Sequence, residues 1–128
     1  MNLLLDTHLL IWSASQNPKL SPKARLLISD LSNQLWFSTA SLWETAIKSA
    51  LKRPDFSIEV GQLRAGLLAN GYREIAVEGR HVLAFRDLKP LHRDPFDRLL
   101  VAQARSEGMT LLTSDRQLAA YGDMVRFV

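Results

Sequence analysis

Three consecutive leucines, Leu3-Leu4-Leu5, sit near the start of the chain and end at Asp6. A short unbroken apolar run of this kind suits a central parallel strand, because helices cover both of its faces. Comparable runs recur at Leu35-Trp36-Phe37-Ser38, Glu74-Ile75-Ala76-Val77, Thr110-Leu111-Leu112-Thr113 and Met124-Val125-Arg126-Phe127-Val128. The stretches between them carry helical signals. Residues 8–12 begin a helix that stops near Asn17-Pro18, and Ser21-Pro22 caps a second through about Leu31. Ser41 opens a third, ending near Lys52 before Pro54, and residues 60–70 form a fourth closed by Gly71. Residues 80–85 form a short helix, residues 94–107 a longer one closed by Gly108, and residues 114–120 a last short one. Strands alternating with helices predict an α/β fold, a parallel sheet wrapped by helices on both faces. Ligands of such sheets bind beyond the carboxyl ends of the strands, where the strand order reverses.

The helix at 94–107 poses a question of charge. Asp94 is an apt N-cap and Pro95 an apt first residue, since its missing N–H would have no partner there anyway. Asp97 then falls on the arc formed by Phe96, Leu100, Val101, Ala104 and Gly108, the face this helix should bury. A buried carboxylate is costly unless it is paired, hydrogen-bonded or bound to a metal. Three more acids are predicted at the same sheet edge: Asp6 at the end of the first strand, Glu44 in the first turn after the second, and Asp115 just past the strand 110–113. Helix N-termini favour anions by up to about 1 kcal/mol each, which four clustered carboxylates can outweigh by mutual repulsion. A divalent cation resolves the conflict, and oxygen ligands select a hard one, Mg²⁺ or Mn²⁺.

Each acid also has a plainer structural role. Glu44 completes a Ser41-x-x-Glu44 capping box, Asp97 can partner Asp94, and Asp115 can cap the last helix. Asp94 reads chiefly as a cap, paired with Arg98 at i, i+4. It lies near enough to Asp97 to join the site, directly or through water. Thr7, Thr113 and Ser114 flank the acids and are placed to hold a metal-bound water or a carboxylate oxygen, besides ordinary turn hydrogen bonds. His8, His81 and His92 lack metal-ligand spacing and read as surface or packing residues. His92 alone lies near the acidic edge, within reach of a phosphate.

Composition narrows the function classes. The 128 residues predict one domain, 1–128, with room for a full core. The absence of cysteine excludes disulfides, thiolate zinc sites and a cysteine nucleophile. No apolar run reaches the roughly 18 residues of a membrane span, and Met1 to Asp6 lacks the basic region of a signal peptide, so a cytoplasmic protein is expected. A net charge of +3 and a pI near 9.6 suit a polyanionic partner. Lys48 and Lys52 follow Glu44 on one helical face, and Arg53, Arg93, Arg98 and Arg116 lie close to the acids in sequence. These are the candidate phosphate contacts. Trp12 and Trp43 could stack on bases, but tryptophans in such apolar stretches are more often core or dimer interface. Residues 57–71 could pack against a second subunit or another partner.

The ordered motifs resemble a known family. Leu3-Leu4-Leu5-Asp6-Thr7-His8, Ser41-Leu42-Trp43-Glu44, the block from His92 through Asp94-Pro95-Phe96-Asp97-Arg98 to Ala104, and Leu111-Leu112-Thr113-Ser114-Asp115 are similar to the successive motifs of PIN-domain proteins. More closely, they resemble VapC-type toxins of bacterial toxin–antitoxin systems. The resemblance implies a three-layer α/β/α sandwich with a mainly parallel sheet. It implies a Mg²⁺- or Mn²⁺-dependent endoribonuclease, usually a homodimer, with a small antitoxin whose C-terminal segment covers the active site. The family's acidic quartet maps onto Asp6, Glu44, Asp97 and Asp115, with Thr113 as the accessory hydroxyl. A phosphatase of the haloacid-dehalogenase type would want an Asp where His8 stands, and a receiver domain a Lys that is missing. The alternative from another class is a non-catalytic RNA- or partner-binding module that keeps only the fold; the intact quartet argues against it.

Overall fold

The computed structural model describes residues 1–128, with Asp55 described by its backbone alone. Five strands, β1 (Asn2–Leu5), β2 (Gln34–Ser38), β3 (Arg73–Ile75), β4 (Thr110–Thr113) and β5 (Val125–Phe127), pair in the order β3-β2-β1-β4-β5. Every pairing is parallel, so the expected mainly parallel sheet is wholly so. Six helices accompany it: α1 (Thr7–Ala14), α2 (Pro22–Ser29), α3 (Thr39–Ala50), α4 (Val60–Ala69), α5 (Gly79–Asp87) and α6 (Pro95–Glu107).

The leucine run takes the centre of the sheet. Leu3 and Leu5 join Leu9, Leu10, Phe37, Leu63 and Leu67 on one face, while Leu4 joins Leu100, Val101, Ala104 and Leu111 on the other. Alternation along a strand sends neighbours to opposite faces, and both faces are dry because helices cover both. Burying each leucine contributes about 1.5–3 kcal/mol. The chain winds outward from β1 to β2 and β3, then returns to place β4 on the other side of β1. The order therefore reverses at β1, and the crevice beyond β1 and β4 is where this topology places a ligand. Asp6 and Asp115 lie just past those two strands.

Several boundaries differ from expectation. Helix α2 stops at Ser29, leaving Leu31 fully exposed. Strand β3 is shorter than 74–77, and α5 is longer than 80–85, because Glu78 caps it in a reciprocal capping box with His81. The last helix, expected over 114–120, is a 3₁₀ segment, Arg116–Tyr121. The largest correction concerns α3. Ser38, not Ser41, is its N-cap, accepting the Ala40 N–H at 3.0 Å. Strand β2 ends at Ser38 and the helix begins at the next residue, so the earlier of two competent serines takes the cap. Gly71 and Gly108 hold the positive φ angles, +84° and +66°, that end α4 and α6.

Candidate active site

The site is assembled from the start of four elements. Asp6 follows β1 and is the N-cap of α1: the Leu9 N–H donates to its Oδ1 at 2.8 Å. Its other oxygen, Oδ2, accepts from the Thr113 hydroxyl at 2.7 Å and the Ser114 N–H at 3.0 Å. Thr113 ends β4, the strand beside β1, so the parallel register brings a hydroxyl donor to a carboxylate 107 residues away. The Thr113 oxygen also accepts from the Asp115 N–H at 2.9 Å. It thus holds a carboxylate oxygen and braces the next acid. Asp6 is buried, and burial pushes its carboxyl above the usual range against the pull of these donors.

Because α3 starts at Thr39, Glu44 lies in its second turn and is no capping-box residue. Ser41, likewise, is a buried helix residue rather than a cap. The Glu44 carboxylate is buried and points at α1, where Thr7 Oγ1 lies 2.6 Å from Oε1; Lys48 Nζ lies 2.6 Å from Oε2. Thr7 has one proton to give. It lies in reach of two acceptors, Glu44 Oε1 and Ser41 Oγ at 3.0 Å, and the buried carboxylate is the stronger of them. Thr7→Val should therefore leave a buried carboxylate short of a donor. The expected cost is about 1–3 kcal/mol in chemical denaturation, with Thr7→Ser close to wild type.

Asp97 stands in the first turn of α6, fixed there by the Asp94 cap, whose Oδ1 accepts the Phe96 and Asp97 N–H groups at 2.8 and 3.2 Å. The expected cap is present. Arg98, however, does not turn to Asp94: its guanidinium lies 4.5 Å from the Phe85 ring centroid. The Asp97 carboxyl is pushed up to about 8, first by burial and then by the charges of Asp94, Asp6, Glu44 and Asp115. The other three acids of the predicted quartet, together with Asp94, thus act electrostatically on Asp97. Asp115, half-exposed, caps the 3₁₀ segment through Oδ1 and the Gln117 N–H at 2.9 Å, and meets His92 Nε2 through Oδ2 at 2.7 Å. One ligand-capable atom each from His92, Asp97 and Asp115 lies within 4.8 Å of the other two. An oxygen-rich donor set with one acid forced toward its neutral form suits a hard divalent cation, which would restore the charge on Asp97.

The basic residues are placed unevenly. Lys48 is committed to Glu44 and also stands 4.9 Å over the Phe56 ring. Arg98 lies on Phe85, and among the described residues its Nε has no hydrogen-bond partner. Arg116 is exposed over Phe127, and Lys52, Arg53 and Arg93 are exposed. Trp43 is no core residue: it is 63% exposed and meets Phe96 edge-on at 5.3 Å. Sequence reasoning missed the partnership of His92 with Asp115. The available signal was its position two residues before the α6 cap. A second cluster, Glu78, His81 and Glu107, is self-contained. His81 Nδ1 accepts the Glu78 N–H, Nε2 meets Glu107 at 2.9 Å, and Arg80 pairs with Glu107.

Comparison with known proteins accords with this geometry. The family model described as PIN domain matches residues 3–124. No curated protein matches the chain. Among solved structures, VapBC2 from Rickettsia felis, bound to a DNA fragment from its promoter, is 18% identical, with 99% of this chain and 98% of that chain covered and a TM-score of 0.70. A toxin–antitoxin complex from Klebsiella pneumoniae is 16% identical, covering 97% and 95%, with a TM-score of 0.67. VapC20 from Mycobacterium tuberculosis, a toxin that cleaves the sarcin-ricin loop, is 18% identical, covering 94% and 95%, with a TM-score of 0.61.

Proposed function

This chain belongs to the PIN-domain family, and on that footing we propose that it is a Mg²⁺- or Mn²⁺-dependent endoribonuclease, the toxin of a toxin–antitoxin pair. PIN domains are typically nucleases that use divalent metals. The observation that carries the proposal is the convergence of Asp6, Glu44, Asp97 and Asp115, with the Asp97 carboxyl raised to about 8 by burial and its acidic neighbours.

Asp6, Asp97 and Asp115 are the residues that would hold the cation, directly or through water. When bound, the metal supplies an acidified water and neutralises charge on the scissile phosphate. The chain's own part is to hold the carboxylates still. Asp6 is fixed by three donors, and Glu44 by Thr7 and Lys48, leaving lone pairs on each carboxylate to accept from a water. That suits Glu44 to orienting the attacking water. Lys52, Arg53, Arg93 and Arg116, all exposed, would take the phosphates on either side of the cleaved bond.

The neighbouring structures that are toxin–antitoxin complexes support an antitoxin partner here. A homodimer fits the apolar hollow of about 390 Å³ lined by Trp43, Val82, Phe85, Pro95, Phe96 and Leu99. The direct test is RNA cleavage by purified protein. EDTA should stop it, and Mn²⁺ or Mg²⁺ should restore it. Cleavage that persists in EDTA would overturn the proposal.

A further inference from the structure

We propose that His92 is the positioning residue of the carboxylate cluster, tying Asp115 to the start of α6 and so setting how Asp115 and Asp97 face a common cation. This rests on the metal-site reading above and goes beyond it, because it assigns a residue that offers the metal no ligand.

The assignment follows from the two ring nitrogens. The Asp94 backbone N–H donates to His92 Nδ1 at 3.1 Å, so Nδ1 carries no proton. The proton of the neutral ring is then on Nε2, which lies 2.7 Å from Asp115 Oδ2 and donates to it. A nitrogen that carries a proton cannot ligate a metal, so the nearness of Nε2 to the Asp97 and Asp115 oxygens does not make it a third ligand. Instead the ring is a rigid strut. One end holds the backbone of the residue that caps α6 and fixes where Asp97 emerges. The other holds the carboxylate of a residue 23 positions away, on the segment after β4. The His92 side chain is only 9% exposed, whereas that of Asp115 is 38% exposed. Besides this contact, Asp115 is held by the Gln117 N–H on its other oxygen. Without His92 it would keep a cap bond that fixes one oxygen and leaves the other to swing toward solvent. Outer hydrogen-bond partners of this kind, when removed, typically cost about 10–100-fold in metal affinity.

The test uses the full chain without metal, then with Mn²⁺. Two-bond ¹⁵N–¹H correlation spectra of the metal-free protein near pH 7.5 should show His92 with a bare Nδ1 and a protonated Nε2; the opposite tautomer would overturn the proposal. In Mn²⁺ titrations followed by calorimetry or electron paramagnetic resonance, His92→Phe, which keeps the ring volume without the donor, should bind about 10–100-fold more weakly. His92→Ala should do the same, which guards against a folding defect in either variant. His92→Gln presents an amide N–H toward Asp115 and an amide oxygen toward the Asp94 N–H, and should recover most of the affinity. Wild-type affinity in both His92→Phe and His92→Ala would overturn the positioning role while leaving the metal site intact. Failure of the wild-type protein to bind Mn²⁺ would overturn the metal-site reading, and this proposal with it.

Discussion

Asp97→Asn is expected to abolish RNA cleavage while leaving the fold and the α6 cap in place. The loss should exceed the roughly 10–100-fold that follows removal of an outer hydrogen-bond partner, because it removes a cation-binding carboxylate itself. The fold should persist because Asp97 is not what starts the helix. Asp94 accepts the Phe96 and Asp97 N–H groups, and an asparagine at 97 keeps its own backbone N–H. Asparagine matches the carboxylate in shape and removes only the charge. Cleavage of total RNA by the two purified proteins, with circular dichroism on each, separates loss of chemistry from loss of structure. Full activity in the variant would sink the site assignment.

What the sequence made legible was whatever depends on local order. Asp94, Pro95 and Gly108 bound α6 because caps, first-turn prolines and left-handed glycines act within a turn of the helix end. The leucine run marked the central strand because a strand covered on both faces needs no polar alternation. The reversal of strand order then brought Asp6 and Asp115 to neighbouring strand ends, which needs only the βα alternation and its topology. Other features needed a third dimension. Nothing near Glu44 in sequence announces Thr7, 37 residues earlier, as its donor, and nothing near Asp115 announces His92. Arg98 looked like a free phosphate contact because charge is visible in sequence, whereas the Phe85 ring beneath it is not. The choice of Ser38 over Ser41 turned on how abruptly β2 passes into α3, a one-residue junction that periodicity does not resolve.

The same network separates the acids by what their removal would do to stability. Asp6 and Glu44 each accept hydrogen bonds on both oxygens, so neutralising either one sacrifices buried donors. The folded state also resists ionisation of Asp97, and the effect of Asp97 on metal-free stability has a definite sign. In the unfolded chain it ionises near its ordinary value of 3.8; in the fold it holds its proton to about 8. Between those values the folded protein keeps a proton the unfolded chain has released, so rising pH favours unfolding. Metal-free stability should fall as pH climbs from about 4 to about 8, by at most about 1.4 kcal/mol per unit for this one proton, and the Asp97 contribution should level off above that. Asp97→Asn should flatten the decline, matching wild type near pH 4 and exceeding it at pH 8. Added Mn²⁺ should narrow the gap at pH 8: the cation stabilises the ionised wild-type site by about 2.7 kcal/mol at a hundredfold excess over its dissociation constant, and the variant by less. Thermal unfolding of both proteins at pH 4 and pH 8, with EDTA or Mn²⁺, reads all of these terms. A wild-type protein whose metal-free stability is flat or rising over that range, with no gain at pH 8 in Asp97→Asn, would show that Asp97 is stabilised by the fold and that the crowding of carboxylates does not raise it.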